Sequence, residues 1–232
     1  MTEPIISKRL NSILNVIPHC ETIADVGTDH ALLPIMAVKN GVCEKAILTD
    51  VRKGPLETAK KNIMIYLPEY SEKFDLRLCD GLEKINPFEA DVIAICGMGG
   101  NLIAHILETN RSASENCKKL ILQPNTCVDA LRKYLNDTGI KIDNEQYIVD
   151  ENHPYVIIEA HYTGEKTEYS EQDLFLGKFL SETAEDEYLE MIYGKMRHIS
   201  EASRGSEGNA RSDFYNELSK RVGELIESRK NN

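Results

Sequence analysis

The sequence predicts an α/β fold, a mostly parallel Rossmann-like sheet that ends in an antiparallel hairpin, followed by a C-terminal helical hairpin. Three observations carry this reading. From Glu21 to Tyr162 short apolar runs alternate with helical patterns. The last two of those runs, Ile140–Val149 and Tyr155–Tyr162, are separated by only five residues. After Thr163-Gly164 the chain turns to long helix-forming stretches with no strand candidates.

The first element is an amphipathic helix with Leu10, Ile13, Leu14 and Ile17 on one face. Candidate strands follow at Thr22–Val26, Lys45–Asp50, Phe74–Cys79, Ala90–Cys96 and Lys118–Gln123, each trailed by turn or helix-start residues. Parallel pairing requires the crossovers between them. Burial on both faces explains why Ala90-Asp91-Val92-Ile93-Ala94-Ile95 is nearly continuously apolar rather than alternating. Gly54-Pro55 sets a proline at a first helical position, with Leu56, Ala59, Lys60 and Ile63 at helical spacing behind it. Five residues cannot hold a crossover helix, so the last two runs form a hairpin. By fold analogy, that ending is usual for class I S-adenosylmethionine (SAM) methyltransferase sheets, whereas six-stranded nicotinamide-cofactor sheets stay parallel.

The helical region gives a second unit, with boundaries at 1–164 and 165–232. Leu176, Phe179, Leu180, Tyr188, Met191, Ile192, Met196 and Ile199 form one stripe, and Phe214, Leu218, Val222, Leu225 and Ile226 a second. Gly205-Ser206-Glu207-Gly208-Asn209 breaks them into a coiled-coil-like helical hairpin. Its first half is acidic, with Glu182, Glu185, Asp186, Glu187 and Glu190. Near the tip, Lys195, Arg197, Arg204 and Arg211 outnumber Glu201 and Glu207. The tip is either an RNA contact or a solvated charged face.

A chain of 232 residues with 41% hydrophobic and 28% charged residues is an ordinary globular protein, long enough for a sizeable core. The formal net charge of -11 argues against broad adhesion to nucleic acid or anionic membranes, which reward Lys and Arg, though not against a local basic patch. The six cysteines are scattered, none in a Cys-x-x-Cys pair, so core thiols are expected and no metal site. No apolar run approaches a membrane span and the amino terminus lacks a hydrophobic signal core, which predicts a cytoplasmic protein, expected as a monomer.

The richest segment is Asp25-Val26-Gly27-Thr28-Asp29-His30, at the end of the first strand. Gly27 lets the backbone turn and approach a ligand, and the helix behind it offers unpaired N–H groups. A single glycine is not the Gly-x-Gly-x-x-Gly of dinucleotide sites, and Asp29 sets a carboxylate where a pyrophosphate would lie. Asp25 and Asp29 suit a ligand with cationic groups and no phosphate. Asp29 is equally readable as an N-cap of the next helix. Asp50 closes the second strand at the spacing where an acid holds ribose hydroxyls, or else is a solvated strand end. Asp80-Gly81 closes the third, within reach of an adenine amine. Carboxyl ends of strands gather at the crevice of such a sheet, so Asp25, Asp50 and Asp80 should converge on one ligand. The fourth strand runs into a bare loop, Gly97-Met98-Gly99-Gly100, whose carbonyls can accept from a flat base. Gln123 and Asn125, after the fifth, either bond a base or cap the following helix.

Together with Gly54-Pro55, Leu120-Ile121-Leu122-Gln123-Pro124-Asn125 and the helical hairpin, these motifs resemble the bacterial tRNA (adenine(22)-N(1))-methyltransferase (TrmK) family over essentially the whole chain. The resemblance implies a class I SAM-dependent domain acting on adenine N1 in tRNA, with the helical domain as a possible tRNA contact. With that function, the candidate SAM-binding residues are Asp25, Gly27, Asp29, His30, Asp50, Asp80, Gly81, Gly97 and Met98, and the candidate catalytic residues Gly97, Gly99, Gly100, Gln123 and Asn125. Asp50 stands where the family is expected to carry Glu; the shorter acid still suits a diol. On the residues alone, a SAM-dependent methyltransferase of a small molecule or protein, and a non-enzymatic interaction module, stay open.

Overall fold

Across the sheet of the computed structural model, which describes residues 4–203 and 209–231, the seven strands, counted in chain order, lie in the order 3-2-1-4-5-7-6. Helix α1 (Lys8–Val16) comes first, with the Ser7 hydroxyl accepting the Leu10 N–H as its cap and Ile13 and Leu14 buried. Then β1 (Cys20–Val26), α2 (Leu32–Lys39), β2 (Cys43–Asp50), α3 (Lys53–Tyr66) and a 3₁₀ segment (Pro68–Lys73) lead to β3 (Phe74–Leu78). The second half runs β4 (Val92–Gly99), α4 (Gly100–Thr109), α5 (Arg111–Glu115), β5 (Lys119–Thr126) and α6 (Val128–Asp137). It ends in β6 (Ile140–Asp150) and β7 (His153–Tyr162).

The pairs β3/β2, β2/β1, β1/β4 and β4/β5 are parallel, and β5/β7 is antiparallel. Ile23, Ala24, Ile93, Ala94 and Ile95 are fully enclosed, as two-sided burial requires. The hairpin is tighter than five residues: Glu151 and Asn152 both take positive φ, 49° and 60°, the signature of a two-residue type I′ turn. Strand order reverses between β1 and β4, which opens the crevice of a doubly wound sheet at their carboxyl ends.

Helix α3 begins at Lys53, so Pro55 is its third residue rather than its first. A proline in the first turn still loses no intrahelical bond. The bare loop predicted after the fourth strand is a strand. β4 continues through Gly99, and α4 starts at once with Gly100. Continuity is bought by a bulge: Cys96 pairs with Gln123 but Met98 with Pro124, leaving Gly97 (φ 77°) as the extra residue.

The chain divides into two compact units, Met1–Asn144 with Ile157–Glu168, and Glu145–Val156 with Tyr169–Asn232. The outer end of the β6–β7 hairpin thus groups with the helices. In this second unit the expected first stripe is three helices, α7 (Glu171–Leu176), α8 (Leu180–Thr183) and α9 (Asp186–Ser203), because Gly177 at φ 86° ends α7. Helix α9 and α10 (Asn209–Lys230) form the long hairpin, burying Leu189, Ile192 and Met196 with Leu218 and Val222. Near its tip Ser200 Oγ donates to Asn216 Oδ1 at 2.7 Å, and Ser212 Oγ to the Ser200 carbonyl at 3.1 Å. Of the predicted break at 205–209, residues 205–208 lie outside the described residues, as does Arg204, while Asn209 begins α10.

Candidate functional site

A cavity of about 410 Å³, within the rough 300–1,000 Å³ range of small-molecule sites, opens where β1 and β4 end. Asp25, Gly27, Thr28, Asp29 and His30 form one wall, Cys96 and Gly97 another, and Ser7, Arg9 and Leu10 of α1 a third. Asp25, Gly27, Asp29, His30 and Gly97 thus share one cleft. Asp50, Asp80, Gly81 and Met98 lie outside that lining. Asp50 ends β2, the strand next to β1, and Asp80 lies just beyond the end of β3, one strand further out.

Asp25, the penultimate residue of β1, lies beside Leu48 of β2 and Ala94 of β4 and is only 8% exposed. Burial pushes its carboxyl up to about 6, against an opposing pull from the nearby Thr28 hydroxyl. Thr28 is itself 2% exposed, and its Oγ1 is the one buried side-chain polar atom among the described residues that completes no hydrogen bond. An enclosed acid beside an unsatisfied hydroxyl is costly unless a polar ligand engages both.

The turn after β1 behaves differently from the open amide cradle that the sequence suggests. The Thr49 carbonyl accepts both the Gly27 N–H at 2.8 Å and the Thr28 N–H at 3.0 Å. Those two donors are therefore engaged, which suits a ligand without phosphates. Gly27 holds φ 77°, a left-handed conformation that favours glycine, and a Cβ there would require the Met98 methyl, 2.0 Å away, to move. Asp29 does not cap α2. That cap is Ala31 in the left-handed region with no side-chain bond, while Asp29 pairs with His30 at 3.2 Å.

On β2, Asp50 is 8% exposed and its Oδ1 accepts the Arg52 N–H at 2.7 Å, orienting the carboxylate. Asp80 is exposed in the turn after β3, where its carbonyl accepts the Glu83 N–H at 3.0 Å. Gly81 packs against Ile106 of α4, and its carbonyl accepts the Thr49 hydroxyl at 3.1 Å.

Gln123 and Asn125 neither cap α6, whose cap is Cys127 without a side-chain bond, nor stand free. Gln123, fully buried, accepts the Gly97 N–H at 3.2 Å through Oε1 and donates to Asn125 Oδ1 at 2.9 Å. Asn125 Nδ2 in turn donates to the Gly97 carbonyl at 2.8 Å. The two amides hold the N–H and the carbonyl of Gly97 and so fix the bulge. Gly99 caps α4, and a Cβ on Gly100 would strike the Cys127 carbonyl oxygen at 2.2 Å, so α4 sits directly on the β5–α6 corner.

Arg9 also borders the cleft, and nothing in the sequence singles it out. Its Nη1 donates to Gln123 Oε1 in the same cleft, but as a single cation on the polar side of an amphipathic helix it carries no motif. Cys96 is no nucleophile: burial first, and then the Asp25 charge, push its thiol up and keep it protonated. What the arrangement offers is an anionic cleft with an oriented backbone wall, suited to a ligand without phosphates.

A methyltransferase domain matches residues 6–158 of the chain. The tRNA (adenine(22)-N(1))-methyltransferase of Bacillus subtilis is 32% identical over 202 residues, covering 85% of this chain and 84% of that protein. The crystal structure of a putative tRNA (m1A22) methyltransferase from Streptococcus pneumoniae superposes with a TM-score of 0.85 at 31% identity, over 96% of this chain and 100% of that one. The same protein in complex with SAM gives 0.83 at 30% identity, with the same coverage.

Proposed function

Because the chain belongs to the tRNA (adenine(22)-N(1))-methyltransferase family, we propose that it transfers a methyl group from SAM to N1 of adenine 22 in tRNA. The observation that carries the reading is the buried Asp25 carboxyl beside the unsatisfied Thr28 hydroxyl, in a cleft whose turn amides are already engaged. These groups fit a ligand with an ammonium, a sulfonium and no phosphate. In this reading Asp25 takes the ammonium, and Asp29 and His30 edge the mouth. Asp50 takes the ribose diol, Asp80 and Gly81 the adenine, and Gly27 and Met98 pack against the ligand. SAM, when bound, supplies an electrophilic methyl group on its sulfonium.

Adenine N1 carries its own lone pair, so the protein needs no strong base. Its contribution is alignment and a wall of acceptors for the methyladenine cation. The Gly97 carbonyl, held by Asn125, keeps a second lone pair for an exocyclic amine. Gly99 and Gly100 extend that wall, and Gln123 fixes it. N1 lies on the pairing edge, so the base must be unpaired or flipped to enter.

Residues 1–164 act as the methyltransferase domain and 165–232 as a helical domain that contacts tRNA through Lys195, Arg197 and Arg211, all exposed. Arg197 shares its charge with Glu201 at 3.2 Å. No helix among the described residues is long and apolar enough to cross a membrane. The working protein in this reading is a cytoplasmic monomer. Incubation with labelled SAM and two tRNA transcripts, one with adenine and one with guanine at position 22, tests the proposal. 1-Methyladenosine should appear only in the first; label in both, or in neither, overturns it.

A further inference from the structure

We propose that Cys20 and Cys43 form a site of reversible thiol oxidation, a dithiol that a hydroperoxide converts to a disulfide stapling β1 to β2. Both are free cysteines. Cys20 opens β1 and Cys43 opens β2, and the parallel register sets the two opposite each other. Neighbouring strands stand about 4.8 Å apart, inside the roughly 4.4–6.8 Å that a disulfide spans between Cα atoms. Side chains of directly paired residues leave the same face of a sheet, and here the two thiols meet within hydrogen-bonding reach. The pairing is also held by its neighbours. The Val42 carbonyl accepts the Cys20 N–H at 3.0 Å, and His19 Nδ1 lies 3.1 Å from the Gly41 carbonyl oxygen.

The two thiols are not equivalent. Cys20 is half-buried and open to a small oxidant, whereas Cys43 is only 3% exposed. The hydrogen bond with Cys43 holds the Cys20 thiol below its ordinary value, against burial and the Asp91 charge, and the Lys118 ammonium adds to the lowering. The same contact, and then burial, push the Cys43 thiol up. An accessible thiolate beside an enclosed thiol divides the work between an attacking and a resolving sulfur. The Cys20 thiolate bonds to one oxygen of hydrogen peroxide, the O–O bond breaks, and the departing hydroxide takes up the proton that Cys20 released. The Cys43 sulfur then displaces the hydroxyl of the Cys20 sulfenic acid, which leaves as a second water with the Cys43 proton. Two thiols and one peroxide thus give one disulfide and two waters, with two electrons passing from sulfur to oxygen, and a dithiol reductant reverses the step. The pair lies at the amino ends of its strands, whereas the cleft lies at the carboxyl ends, so the site stands independently of the SAM reading. The bond closes a loop that carries the Asp25–His30 turn and α2.

The test treats the full chain with stoichiometric hydrogen peroxide, caps the remaining thiols with N-ethylmaleimide and maps the tryptic peptides by mass spectrometry. Peptides 10–39 and 40–45, which hold Cys20 and Cys43, should appear joined, and dithiothreitol should release them. The oxidised protein should melt higher by on the order of 5–10 °C, since the cross-link constrains its unfolded chain. In Cys43→Ser, which removes the resolving sulfur, Cys20 should stop at the sulfenic acid and take up dimedone faster than the exposed Cys127. Peptides that stay separate and capped while Cys127 oxidises would overturn the proposal. So would a joined pair that dithiothreitol does not release, or one that brings no rise in melting point. Dimedone on Cys127 ahead of Cys20 in Cys43→Ser counts against it equally. The wild-type map and melting point decide even if Cys43→Ser fails to fold.

Discussion

Asp25→Asn separates what the cleft does for folding from what it does for binding. In the ligand-free protein the carboxyl sits at about 6 against an ordinary value of 3.8, because burial disfavours its charged form. At ~1.4 kcal/mol per unit, holding that charge in the fold at neutral pH costs ~3 kcal/mol, to order of magnitude. The sign follows from the raised folded-state value: the stability that protonation confers is complete below about 4 and is lost as pH rises through about 6. Asn, of equal size and uncharged, avoids the cost. Without SAM, Asp25→Asn should therefore melt higher than the wild type at pH 7.5, by on the order of 5–10 °C at roughly 2–4 °C per kcal/mol. The gap should close as pH falls towards 4, where the wild type is protonated as well. Added SAM should raise the melting point of the wild type and leave that of the variant in place. Differential scanning calorimetry at both pH values measures all three. A variant less stable than the wild type at neutral pH, or one still stabilised by SAM, would refute the reasoning.

The same carboxyl makes SAM affinity pH-dependent. Only its ionised form attracts an ammonium, so Kd should rise as pH falls below about 6 and level off above 7, and a flat calorimetric profile would contradict the role. Gly100→Ala should destabilise more than Gly27→Ala, because a carbonyl oxygen at 2.2 Å belongs to backbone whereas the Met98 methyl at 2.0 Å ends a flexible side chain. The expected loss for Gly100→Ala is ~1–3 kcal/mol by denaturant unfolding. Gln123→Leu leaves the Gly97 N–H without its partner and frees the bulge. Turnover should fall tenfold or more, while SAM affinity changes less. Lys195→Glu combined with Arg197→Glu and Arg211→Glu should raise KM for tRNA and flatten its salt dependence without changing SAM affinity; unchanged tRNA kinetics would remove the hairpin from the interface.

Much of the fold is legible in the sequence because its signals are periodic and independent of distant neighbours. The continuous apolar run of β4 and the short connection between β6 and β7 dictate parallel strands and a closing hairpin. Elements whose ends are set by backbone geometry were less legible. Gly177 divides the predicted stripe into separate helices, and the bulge at Gly97 depends on Gln123 and Asn125, 26 and 28 residues away along the chain. Asp29 illustrates the limit of local rules: its type and position suit a cap, yet Ala31 takes that place in a left-handed turn. For the candidate site, the acids at strand ends could be named from the topology alone. Arg9 could not, since nothing in α1 indicates that its polar face borders a cleft at the ends of β1 and β4.

The most direct test is a crystal structure of this protein grown with S-adenosylhomocysteine, the product that shares the amino-acid end of SAM. The ligand should lie at the carboxyl ends of β1 and β4, with its ammonium on Asp25 and within reach of the Thr28 hydroxyl. Density for the ligand elsewhere, or a cleft still empty at saturating concentration with Asp25 turned away, would contradict the account.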